Sequence, residues 1–344
     1  MDLHAFVAGL PKVDLHCHIA DAIPAPMLFD IAAANGIALA PFTPETIYRS
    51  TDFEDYLERL ALVCSVLSKQ ADFRLVLFEA LRNMASRNIR YCELFFNPDD
   101  HPVSYPAMLD AYCDAIDAAE RSFGIRARLI PSINRALGPQ RGLAMVENVI
   151  RNRHAHVVGI GLDNNEMLGP PRHYVEAFNL ARAHGLHVSA HAGERFDPVD
   201  LRDAVDFLGI ERIDHGYSVV EDAELLAQLR DAGTPFTTCW SACVLVRGEG
   251  SAITEMLRAG LNVTINTDAP ASFTTDINRE YLQVVEAMNF GPAEISAVAR
   301  AGVLASYLPE SDKRILLSDL AAYAAQPQDE IMQDDVNATS DDLP

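Results

Sequence analysis

The stretch Lys12-Val13-Asp14-Leu15-His16-Cys17-His18 sets the frame for the whole chain. It is a short apolar, β-prone run without Gly or Pro, and it reads as a strand. Residues two apart in a strand point to the same face, so His16 and His18 project together. Two imidazoles side by side suit a divalent metal.

Seven more runs of this kind follow: Arg90–Phe96, Arg126–Ile133, Val157–Asp163, Leu186–His191, Arg212–His215, Pro235–Cys239 and Asn262–Thr267. Longer helical patterns separate them, among them Phe53–Ser86, Tyr105–Ser122, His173–His184 and Ala223–Ala232. Gly185 and Gly233 act as helix stop signals. Strands that alternate with helices pair in parallel through right-handed crossovers. Eight of them predict an α/β protein of the (β/α)8 type, a TIM barrel. The insertion between the first two strands, about residues 19–89, is helical and is expected to lie over the barrel mouth. Extra helices around Asn278–Phe290, Pro292–Ser306 and Pro309–Ala325 close the fold. Residues 1–325 are thus expected to form one domain. The tail 326–344 holds six acidic residues and no basic ones, so we expect it to be disordered.

Composition bounds the function. The chain has 344 residues, of which 49% are apolar and 22% charged, enough for a sizeable core. Its formal charge of −22 repels phosphate backbones and anionic lipid. Nucleic acid and membranes are therefore excluded as partners, and a small molecule is expected. No apolar run reaches the roughly 18 residues of a membrane span. Met1-Asp2-Leu3-His4 lacks the features of a secretion signal, so a cytoplasmic protein is expected. The six cysteines are scattered, which fits reduced, buried thiols.

Barrel enzymes keep their active sites at the C-terminal strand ends. The first strand here ends in His16-Cys17-His18, the fifth in His191-Ala192-Gly193-Glu194, the sixth in Asp214-His215-Gly216 and the eighth in Asn266-Thr267-Asp268. Four strands thus bring polar, metal-capable residues to one rim. His16, His18, His191 and Asp268 supply three imidazoles and a carboxylate, the donor set of a zinc site with a position left for water. Glu194 and His215 remain as an acid/base pair. Between Lys69 and Lys313 the chain has no lysine, so none can bridge two metals as a carbamate. One zinc ion per chain is therefore expected.

These motifs resemble the adenosine deaminase family of the amidohydrolase superfamily. The resemblance runs from Pro11-Lys12-Val13-Asp14-Leu15-His16-Cys17-His18 through Tyr91-Cys92-Glu93-Leu94 and Gly159-Ile160-Gly161-Leu162-Asp163. It continues in Ser189-Ala190-His191-Ala192-Gly193-Glu194, Arg212-Ile213-Asp214-His215-Gly216-Tyr217, and Asn266-Thr267-Asp268 with Pro270. It implies that His16, His18, His191 and Asp268 bind zinc. It implies that Glu194 protonates a ring nitrogen and that His215 orients and helps deprotonate the attacking water. The implied reaction is hydrolytic loss of ammonia from an aminopurine-like compound such as adenosine, adenine or another N6-amino compound. Asn164, Gly193 and Asp21 are the candidate substrate contacts.

Three positions depart from the family pattern. An acidic residue usually follows the two histidines as His-Leu-Asp-Gly or His-Leu-Glu-Gly, but here the run is His18-Ile19-Ala20-Asp21. The family's Asp-Asp-Pro is Asp268-Ala269-Pro270. The loop after the fourth strand reads Asp163-Asn164-Asn165-Glu166 and resembles adenine-deaminase-like relatives more than adenosine deaminases. Two alternatives stay open: an amidohydrolase-type barrel acting on a non-purine substrate, and a zinc-binding barrel without catalysis.

Overall fold

The computed structural model describes residues 2–195 and 197–326. The acidic tail expected over 326–344 lies outside the described residues from 327 onward. Eight strands run as β1 (Lys12–His18), β2 (Ile89–Phe96), β3 (Arg126–Asn134), β4 (Gly159–Asp163), β5 (His187–Ala192), β6 (Arg212–His215), β7 (Pro235–Thr238) and β8 (Asn262–Ile265). Each pairs in parallel with the next, in chain order. The expected (β/α)8 barrel is what the chain forms.

The seam between β8 and β1 positions the site. The described residues show no ladder there but a single bridge, Cys17 opposite Asp268. The Asp268 N–H donates to the His16 carbonyl at 2.7 Å, and the His18 N–H donates to the Asp268 carbonyl at 2.8 Å. The strand pattern had run to Thr267, but β8 ends at Ile265. The chain beyond it leaves β7 and turns onto the end of β1. A second irregularity lies within β1, where Asp14 faces Cys92 and Cys17 faces Leu94. One extra residue around Leu15–His16 forms a bulge, a device that re-aims side chains near active sites.

Helices wrap the barrel, including Tyr105–Phe123, Pro139–Arg151, Val175–Ala183, Ala223–Ala232 and Ser251–Arg258. Pro292–Ala305 packs across β8 and β1 from outside. Helix α1 (Leu3–Gly9) precedes β1, and the insertion holds α2 (Ala25–Asn35), α3 (Phe53–Val66) and α4 (Gln70–Ser86). Phe53–Ser86 read as one helical stretch, but it breaks at Leu67. The Ser68 and Lys69 N–H groups turn to the Asp72 carboxylate at 3.1 and 2.9 Å, which starts α4 afresh. The stretch from Val157 also shortens. Val157 makes only an isolated bridge to Leu129 before β4 begins at Gly159.

The barrel interior is polar as well as apolar. Arg212 and Glu93 are fully buried and paired across it. Tyr91 donates to the same carboxylate at 2.8 Å, and the guanidinium lies 4.4 Å over the Tyr307 ring. Among the described residues, no helix is long and apolar enough to cross a membrane.

Candidate active site

His16, His18, His191 and Asp268 converge at the C-terminal rim, their ligand atoms all within 4.8 Å of one another. His191 Nε2 lies 3.0 Å from both His16 Nε2 and His18 Nε2. Asp268 Oδ1 lies 3.7 Å from His16 Nε2 and 3.5 Å from His18 Nε2. A tetrahedral zinc with bonds of about 2.0–2.1 Å needs ligand separations of about 3.3 Å, so these spacings fit. Burial lowers His16 and His18 to about 3 and His191 well below its usual range, so all three imidazoles are neutral, as ligands must be. Burial, with Glu194 and Asp21 nearby, pushes the Asp268 carboxyl well up. A cation at the cluster offsets that cost.

The atoms behind the ligands provide a further test of fit. Among the described residues, His191 Nδ1, Asp163 Oδ2 and Asp214 Oδ2 have no hydrogen-bond partner. Asp214 Oδ2 stands 3.6 Å from His191 Nδ1, and Asp163 Oδ2 stands 3.8 Å from His18 Nδ1. His16 Nδ1 faces the Thr237 carbonyl at 3.0 Å. An imidazole that binds metal through Nε2 carries its proton on Nδ1, and such acceptors orient it. The donor set therefore fits a divalent cation. A second grouping of His16, His215, Cys239 and Asp268 is also close-set. The first set is the one whose three imidazoles each have an oxygen behind Nδ1, from Asp214, Asp163 and the Thr237 carbonyl.

Glu194 and His215 stand beside the cluster. His215 Nε2 lies 3.6 Å from Glu194 Oε1 and 4.0 Å from Asp268 Oδ2. Burial, and next the Glu166 carboxylate, raise Glu194 to about 8. Its carboxyl thus holds its proton more tightly than a free glutamate does. Glu166 also anchors the loop, accepting from the Glu194 N–H at 3.0 Å. Asn164, His215 and Asp268 all adopt left-handed backbone, φ 72°, 70° and 58°. Non-glycine residues in that region are uncommon, and their presence at three strand ends matches stored strain at a functional site.

A small cavity, about 40 Å³, opens onto these groups. One wall is polar, with Asn97, Asp100, Asp163 and Asn164. Asn97 donates to Asp163 at 2.6 Å. The other wall is Phe53, Tyr56, Leu57 and Leu60 of α3, with Phe273. This is the helical insertion over the mouth, and its four apolar residues stand at i, i+3, i+4 and i+7, one face of a helix. A wider groove, about 680 Å³, lies on the flank between Tyr48, Met84 and Arg279 and has no histidine in its walls.

Of the three candidate substrate contacts, only Asn164 lines the cavity. Asp21 is turned away, because Tyr56 and Ser272 donate to its two carboxylate oxygens. Gly193 serves the turn between His191 and Glu194. Its φ is +70°, and a Cβ there would lie 2.5 Å from Ser218 Oγ. Other residues near the strand ends divide as well. Arg135 is buried behind the site, donating to the carbonyls of His191 and Asp163. The backbone N–H groups of Trp240 and Ser241 bind Glu280, and Arg90 is exposed at the opposite end of β2. Ala269 is fully buried in a cluster with Phe53 and Tyr56.

Fold and rim together define an amidohydrolase-type barrel. A sequence model of the adenosine deaminase family matches residues 11–323. An adenine deaminase of Chlorobium luteolum is 33% identical over 330 residues, covering 93% of this chain and 96% of that one. The crystal structure of an adenine deaminase from Arthrobacter aurescens superposes with a TM-score of 0.88 at 28% identity, covering 92% and 100% of the two chains. An amidohydrolase from Burkholderia ambifaria with bound zinc gives 0.90 at 28% identity, covering 96% and 94%. The chain belongs to the adenosine deaminase family, hydrolases of carbon–nitrogen bonds.

Proposed function

We propose that the protein is a cytoplasmic, zinc-dependent hydrolytic deaminase that releases ammonia from an aminopurine-like substrate, with one zinc ion per chain. The observation that carries this reading is the Glu194 carboxyl 3.6 Å from His215, both beside a cluster of three imidazoles and Asp268; burial raises that carboxyl to about 8, which favours its acid form. His16, His18, His191 and Asp268 would hold the zinc, which when bound would supply Lewis acidity and lower the pKa of water. Glu194 donates its proton to the ring nitrogen next to the amino-bearing carbon, which makes that carbon electrophilic. His215 accepts a proton from the attacking water. The carbon becomes tetrahedral, His215 passes its proton to the amino nitrogen, the carbon–nitrogen bond breaks and ammonia leaves, and the hydroxyl proton returns to the Glu194 carboxylate. The ring keeps the water's oxygen.

The engagement of Asp21 by Tyr56 and Ser272 favours a free base over a nucleoside, and the adenine deaminase relatives support adenine. A non-purine amino heterocycle is the second reading. Ala269 favours it, because its buried methyl offers no hydrogen bond to a ring edge on that side. Unmatched polar groups shift specificity by orders of magnitude. The test is ammonia release by zinc-loaded protein from adenine, adenosine, N6-substituted and nucleotide forms, aminopterins and cytosine. Strong turnover of adenine supports the first reading, and turnover of a non-purine alone supports the second. No release from any member, with zinc bound, overturns both.

A further inference from the structure

The turn after β6 folds Tyr217 back onto His215. His215 and Gly216 both have left-handed backbone, φ 70° and 76°. A Cβ on Gly216 would lie 2.4 Å from the Phe236 ring, so this turn requires glycine. The reversal brings the Tyr217 hydroxyl to 3.0 Å from His215 Nδ1, with both side chains buried.

That hydroxyl makes three contacts. It lies 2.7 Å from the Cys239 carbonyl oxygen, 3.1 Å from the Cys239 amide nitrogen and 3.0 Å from His215 Nδ1. A phenol has one proton to donate and lone pairs that accept. Burial raises the Tyr217 phenol well above its usual range, so the proton stays on. The carbonyl can only accept, and the amide N–H can only donate. If the phenol gave its proton to His215, two oxygen lone pairs would face each other at 2.7 Å with no hydrogen between them. The phenol proton therefore goes to the Cys239 carbonyl. Nδ1 must then be the donor to the phenol oxygen.

We infer that Tyr217 is a positioning residue that fixes His215 as the Nδ1–H tautomer, leaving the Nε2 lone pair turned towards Glu194 and Asp268 as the proton acceptor. This rests on the role proposed for His215 above. Backbone groups of Cys239, at the end of β7, hold the phenol, so the tautomer is set from the neighbouring strand. An imidazole held in the wrong tautomer loses its function as a base even where its position is kept.

The experiment is nitrogen-15 NMR of zinc-loaded protein labelled at histidine, with His215 assigned by its loss in His215→Gln. The inference expects Nδ1 to show a protonated, pyrrole-like signal and Nε2 an unprotonated, pyridine-like one. The reverse pattern overturns it. In Tyr217→Phe the acceptor is gone, so the two signals should move towards an average. There kcat should fall about tenfold or more while KM stays within about twofold and zinc content is unchanged. Unchanged His215 signals with unchanged kcat in a folded variant also overturn it. The wild-type spectrum decides the tautomer even where the variant fails to fold. Absence of turnover by the wild type counts against the deaminase reading and leaves that spectrum standing.

Discussion

Asp268 donates its backbone N–H to the His16 carbonyl at 2.7 Å and holds its carboxylate 3.7 Å from His16 Nε2. One residue thus joins the eighth strand's end to the first and adds the only carboxylate to three imidazoles. The two roles use different atoms, so they separate by mutation. Asp268→Asn keeps the backbone bonds and tolerates the left-handed conformation. We expect its zinc affinity, measured by chelator competition, to fall about 100-fold or more. The melting temperature of the metal-free variant should stay within a few degrees of wild type. A large loss of stability with zinc affinity intact would reverse the assignment.

On the proposed mechanism Glu194 should set the alkaline side of the pH profile. On the proposed reading its carboxyl works in the acid form, and it is raised to about 8 by burial and then by Glu166. Below that pH the acid is present, and above it the proton is lost. Plotted against pH, kcat/KM should fall on a limb near pH 8. Glu166→Gln removes the neighbouring negative charge, so the limb should move to lower pH. A limb that stays in place would show that Glu166 does not act on Glu194.

Asp214 and Asp163 should act on the metal through His191 and His18. Their free oxygens lie 3.6 and 3.8 Å from the two Nδ1 atoms. Asp214→Asn or Asp163→Asn should weaken zinc binding about 10–100-fold, read by chelator competition. Binding as tight as wild type in both would remove them from the metal's support.

The Glu93–Arg212 pair is a matter of folding. Both side chains are fully buried, on β2 and β6. Glu93→Ala removes the closer of the two carboxylates on the buried guanidinium and leaves it only Asp214, 3.6 Å from its Nε, which should cost about 3–5 kcal/mol in denaturant unfolding. A cost under about 1 kcal/mol would contradict the burial seen here.

Much of this was legible in the sequence, and the reason is periodicity. Period two placed His16 and His18 on one face, and strand ends brought His191, His215 and Asp268 to the same rim. The helical insertion over residues 19–89 was expected over the barrel mouth, and α3 (Phe53–Val66) of that insertion lines the cavity with Phe53, Tyr56, Leu57 and Leu60. What stayed hidden depends on contacts between residues distant in the chain. Asp21 looked available beside the histidines, but Tyr56 and Ser272 claim it from 35 and 251 residues away. Asp163 and Asp214 stand behind His18 and His191, and Glu166 behind the Glu194 amide, and no local pattern marks such a partner on another strand. The seam escaped for the same reason. Asp268 meets Cys17 by a single bridge, where an alternating run up to Thr267 looked like continued strand.

The most direct measurement is ammonia release from aminopurines, adenine first, by protein carrying one zinc per chain, with Glu194→Gln alongside. The account predicts steady release by wild type and a loss of about 100-fold or more in the variant, with zinc content equal in the two. Equal release by both proteins, or none by wild type from any aminopurine, would contradict it.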